Sequence, residues 1–78
     1  MSKDQSLLVG LGRAIRATRD EQHVSQEELG FRSGVHRNYI GGIERAERQP
    51  SVMALARLAE ALDVKPAELL ALAERLSR

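Results

Sequence analysis

No cysteine and no tryptophan occur among the 78 residues. Disulfide staples are therefore excluded, and so is a cysteine-ligated metal site. Aromatic side chains are limited to one tyrosine and one phenylalanine. No stretch alternates apolar and polar residues with a period of two, so nothing predicts a strand. No apolar run approaches the roughly 18 residues of a membrane span, and the first residues lack a basic segment followed by a long apolar one. A cytoplasmic chain without membrane contact is expected. His23 and His36 stand apart from each other and from any further ligand, so no metal is expected. No glycine-rich phosphate loop is present, and no serine has a base and an orienting acid near it in sequence. These gaps predict a protein that is not an enzyme and takes neither cofactor nor small-molecule ligand.

Charge of one sign is also scarce. The net charge is +1, short of the basic excess that marks a nucleic-acid partner by bulk charge. The cations are nevertheless ten arginines against two lysines, and the planar guanidinium fork matches phosphate and guanine better than a point charge does. A hydrophobic share of 42% and a charged share of 29% suit a folded chain. At this length there is room for one domain, spanning 1–78, with one core and little stability to spare.

Helical periodicity fills most of the chain. Residues 1–5 carry no period and are expected to fray, and Leu8, Leu11 and Ile15 place a first helix over about 6–22. Ser25 stands three residues before Glu28, a capping box that opens a second helix with acids where the helix dipole favours them. Ser33 and Gly34 end it. A third helix is predicted over 37–45, and Ser51 caps a fourth whose apolar arc collects Val52, Leu55, Ala56, Leu58, Ala59 and Leu62. Pro66 opens a fifth helix running to about Leu76.

Residues 26–45 carry the functional signal: two short helices joined by a tight turn and crossing steeply. Leu29, Val35, Ile40 and Ile43 are expected inward, Gly30 is expected to be small because a helix passes over it, and Gly34 turns the chain. Arg37, Asn38, Gly41 and Arg45 are left facing outward. Arginine and asparagine at a helix N-terminus suit a major groove, since the first bonds guanine and the second adenine in bidentate fashion.

The stretch SQEELGFRSGVHRNYIGGIERAERQPS resembles the core of the lambda-repressor-like (Cro-like, XRE) helix-turn-helix family, and most of all the controller proteins of restriction-modification systems. The likeness runs from about Leu8 to Leu70. It implies an all-α, five-helix domain with the third helix in the major groove of double-stranded DNA. Gln26 would contact a phosphate and brace that helix, Arg37 and Asn38 would read bases, and Tyr39, Arg48 and Gln49 would touch the backbone. Tyr39 and Arg48 also admit plainer readings, as a cover for the core edge and an exposed loop charge. The family often joins an arginine late in helix 1 to a glutamate ending helix 3, here Arg19 and Glu44. Three positions depart from the family pattern: His36 at a cap, Thr18 at a core position, and Gly41-Gly42 inside the third helix. The first two imply weaker local stability. The glycine pair has two readings, close approach to DNA or a helix that deforms easily.

The fifth helix suggests self-association. Leu69, Leu70, Leu72, Ala73 and Leu76 cover an arc of about 160°, opposite Glu68, Glu74, Arg75 and Arg78. That arc is wider than a small core requires, which predicts a homodimer with Leu72 and Leu76 at the interface and Leu69 and Leu70 shared with the core. A transcriptional regulator acting as a homodimer on a palindromic operator is the resulting expectation, of the restriction-modification controller type. The rival is an antitoxin-type module that binds a protein partner as well as DNA.

Overall fold

Ser2 and Gln5 close a reciprocal capping box: the Ser2 hydroxyl accepts the Gln5 N–H at 3.2 Å, and the Ser2 N–H donates to the Gln5 side chain at 3.4 Å. Helix α1 therefore runs Lys3–Glu21, and residues 2–5, expected to fray, belong to its start. The signal was present as a serine three residues before a glutamine. A computed structural model describes residues 2–77. Met1, part of the expected tail, and Arg78, expected on the polar side of the last helix, lie outside the described residues.

Among the described residues four more helices follow and there is no strand: α2 Gln26–Ser33, α3 Arg37–Glu44, α4 Val52–Ala61 and α5 Pro66–Leu76. The all-α fold expected from periodicity is the fold observed. Ser25 caps α2 by accepting the Glu28 N–H at 3.0 Å, and Ser51 caps α4 by accepting the Ala54 N–H at 3.0 Å. The box expected at Ser25 is only half closed. The Glu28 carboxylate turns away to Arg32, one helical turn on, at 2.8 Å.

Helices α2 and α3 have eight residues each, below the roughly 12 at which an isolated helix becomes even marginal in water. Tertiary burial holds them. Ile15, Leu29, Ile40, Ile43, Leu58, Leu62 and Leu69 are fully buried in one core, and each such side chain contributes about 1.5–3 kcal/mol through removal of its surface from water. At Gly34 the φ of +76° reverses the chain, a conformation that costs glycine nothing. At Gly30 a Cβ would stand 2.9 Å from the Val35 carbonyl oxygen, so the following segment does pass over it.

Two helix-wheel expectations are corrected. Val52, placed in the buried arc of α4, is 81% exposed, and Ala56 is half-buried. The wheel treats every turn as equally covered, whereas Val52 is the first residue of its helix and sits beside the open groove between α1 and α4. In α5, Leu69 is 1% exposed and so belongs wholly to the core, while Leu72 and Leu76 are half-buried against that core. Helix α1 covers them: it packs along α5, with Gly10 against the Ala73 backbone. The first helix thus overlays the last. Leu70 is 39% exposed.

Among the described residues no helix is long and apolar enough to cross a membrane.

Candidate nucleic-acid interface

A half-buried polar cluster ties α3 to the two helices before it. Arg19, late in α1, grips Glu44 at the end of α3 with both ends of its fork, Nε to Oε2 at 2.9 Å and Nη2 to Oε1 at 3.0 Å. Its remaining donor Nη1 reaches the Val24 carbonyl at 2.9 Å, between α1 and α2. Gln26, the first residue of α2, donates Nε2 to Glu44 Oε1 at 2.9 Å. One carboxylate thus joins three helices. The hydrogen bond to Glu44 raises the Arg19 pKa above its ordinary value against the opposing effect of burial, so the pair favours the charged guanidinium.

The outward end of α3 begins at His36. Its imidazole Nδ1 accepts the Asn38 N–H at 3.0 Å, so the ring does the capping for which serine, threonine or aspartate is usual. The unusual cap is thus a side-chain cap all the same. Thr18, the second departure, is satisfied by donating its hydroxyl to the Ala14 carbonyl at 2.8 Å. Arg37 and Asn38 are exposed. Arg37 is not free, however, because Nη1 lies 2.8 Å from Glu27 Oε2 on α2. Both members of that pair are well exposed, so the pair is worth at most about 1 kcal/mol and a phosphate or base can displace it.

Beyond α3 the loop folds back. Tyr39 donates its hydroxyl to the Gln49 carbonyl at 3.0 Å, and the Arg48 guanidinium lies 5.0 Å over the Tyr39 ring. Tyr39 is half-buried and packs against the core edge, while Arg48 and Gln49 are exposed. Gly41, expected to face outward, is buried. The Arg45 Nη1 approaches to 3.0 Å of the place its Cβ would take, and the Gln26 Oε1 to 3.6 Å, so the bare backbone is covered from outside. Arg45 itself is exposed and pairs with Glu47 at 3.2 Å.

The exposed groups of α3, the loop behind it and the bracing pair α2–α3 fall within residues 15–69, and over that span the chain matches the helix-turn-helix family model. The chain belongs to the helix-turn-helix family. It is similar to the control protein C.SmaI of Serratia marcescens, with 42% identity over 60 residues, covering 77% of this chain and 71% of that one. To the control protein C.BamHI of Bacillus amyloliquefaciens it is 38% identical over 60 residues, covering 76% and 74%. The crystal structure of the restriction-modification controller protein C.AhdI from Aeromonas hydrophila superposes with a TM-score of 0.78 at 45% identity, covering 80% of this chain and 94% of that one. As a helix-turn-helix member of the lambda-repressor-like kind the chain is a DNA-binding transcriptional regulator.

Within this helix-turn-helix unit the expected site residues fall into groups: Gln26 and Arg45 meet over Gly41, Tyr39, Arg48 and Gln49 meet at the loop after α3, and Arg37 is joined to Glu27 of α2, next to the exposed Asn38. Sequence reasoning missed the Glu27 tether on Arg37 and the capping role of the His36 ring. Neither has a local signature: the first joins residues ten apart across a turn, and the second depends on which ring nitrogen faces the helix.

Proposed function

We propose that this chain regulates transcription as a homodimer on a palindromic operator, in the manner of a controller protein, in the cytoplasm and without catalytic activity. In this reading Arg37 and Asn38 read base edges, and Gln26, Tyr39, Arg45, Arg48 and Gln49 hold the phosphate backbone. The observation that carries it is the half-buried Arg19–Glu44–Gln26 cluster, which braces α3 from α1 and α2 while leaving its N-terminal residues exposed. A recognition helix needs that rigidity, because a bidentate base contact tolerates little angular error. Gly41 contributes by letting Arg45 lie close to the helix rather than by meeting DNA. Contact between copies uses Leu70, the exposed edges of Leu72 and Leu76, and the neighbouring Val52 and Leu7.

Selection of bound sequences from a random duplex pool tests the reading. A palindromic consensus with half-sites about one turn, roughly 34 Å, apart is the expected outcome. An asymmetric consensus would remove the homodimer, and no enrichment over bulk DNA would turn attention to a protein partner.

A further inference from the structure

Gly42 lies in the middle of α3 and is buried. The covering atoms are those of Arg48. A Cβ built on Gly42 would collide with Arg48 Cγ, with Arg48 Cβ 3.3 Å and Cδ 3.7 Å away. The Gly42 carbonyl accepts the Glu47 N–H at 2.8 Å and the Arg48 N–H at 3.2 Å, so the loop is drawn back onto the helix at this residue. The aliphatic stem of Arg48 therefore crosses the bare backbone of Gly42, and its guanidinium comes to rest over the Tyr39 ring. Glycine is among the poorest helix formers. Its presence here follows from the space that the arginine stem occupies.

We propose that Gly42 is a positioning residue for DNA-backbone binding: by lacking a side chain it lets Arg48 lie against Tyr39, holding one cation ready for a phosphate. The inference rests on the DNA-binding reading above. A loop arginine held by stacking loses less conformational freedom on contact than one that swings free, and so binds more tightly for the same charge. Of the two readings of the glycine pair, neither close approach to DNA nor easy deformation is needed, since both glycines are covered by arginines of the same chain.

Titration with a random-sequence duplex several turns long, at a series of salt concentrations, tests it together with thermal melting. Arg48→Ala should weaken binding about eightfold at 0.1 M salt and lower the salt slope by about one unit, the size of one phosphate contact. Gly42→Ala should weaken binding about threefold or more although the arginine is still present. In the Arg48→Ala background Gly42→Ala should cost nothing further in affinity, and any loss of melting temperature that it causes alone should shrink, because the colliding Cγ is gone and only the Cβ at position 48, 3.3 Å away, remains. A Gly42→Ala chain that binds as well as the unmutated one overturns the proposal. So does a double variant whose loss is the product of the two single losses, or one whose melting loss is as large as that of Gly42→Ala alone, since Gly42 would then serve backbone packing. An unmutated chain that binds no duplex at all overturns the DNA-binding reading itself, which the other outcomes leave standing.

Discussion

At the scale of single residues, the Arg19–Glu44 pair shows how burial sets the consequence of a deletion. The side chains are 12% and 4% exposed, so neither charge can recover its hydration in place. Their remaining partners differ. Without Glu44, Arg19 keeps the Val24 carbonyl at 2.9 Å and Asp20 at 3.4 Å. Without Arg19, Glu44 keeps the neutral Gln26 amide at 2.9 Å. Arg19→Ala should therefore be the more harmful, at about 3 kcal/mol, with Glu44→Ala nearer 1–2 kcal/mol. The double variant should lose less than the sum, because the second deletion removes a charge already left uncompensated. Urea denaturation of the four chains measures this, and equal losses for the two singles would mean that Asp20 and Val24 do not shield Arg19. Family resemblance named both residues in advance, but nothing in their spacing of 25 could, since the contact closes across three helices.

Elements were the most legible level, because helix ends are written locally. Ser25, Ser51 and Pro66 each stand where a helix starts, and a cap or a proline acts within three residues of itself. Which neighbour covers a helix is a different kind of fact. The apolar arc of α5 is filled by α1, and the approach is close enough that a Cβ on Gly10 would collide with the Ala73 carbonyl. Gly10→Ala should thus behave unlike Gly42→Ala. Its obstacle is a helix backbone that cannot rotate aside, so overpacking at about 1–3 kcal/mol outweighs the helix-propensity gain of about 1 kcal/mol. A net loss of up to about 2 kcal/mol in thermal or urea unfolding is the expected result, and a raised midpoint would mean that α5 can slide away from α1.

For the whole molecule, dimensions bear on oligomeric state. The longest extent of the described residues is 32 Å, about one turn of DNA at roughly 34 Å. A single copy has one recognition helix and cannot reach two successive major grooves with it, so a palindromic site requires two copies. The large apolar side chains left exposed near one another are Leu7 and Leu70 with Val52, which border one groove. Val52→Glu with Leu70→Glu should therefore give a folded monomer in sedimentation and much weaker binding to a selected palindrome. Leu72→Glu with Leu76→Glu should weaken self-association and also lower stability, since both side chains pack on the protomer's own core. A Val52 and Leu70 variant that remains dimeric would place the interface elsewhere.

What the amino-acid order determined by itself was everything that acts over a few residues: where helices start and stop, the glycine turn at Gly34, and the spacing that marks residues 26–45 as a helix-turn-helix. What tertiary structure decided was every question of coverage. Leu69 went wholly into the core because α1 returned to lie on α5, Arg37 acquired a carboxylate partner from the preceding helix, and the glycine pair became a bed for Arg45 and Arg48. A helical wheel states which side chains share a face. Only the packing of distant segments, each competing for the same apolar surface, states what lies against it.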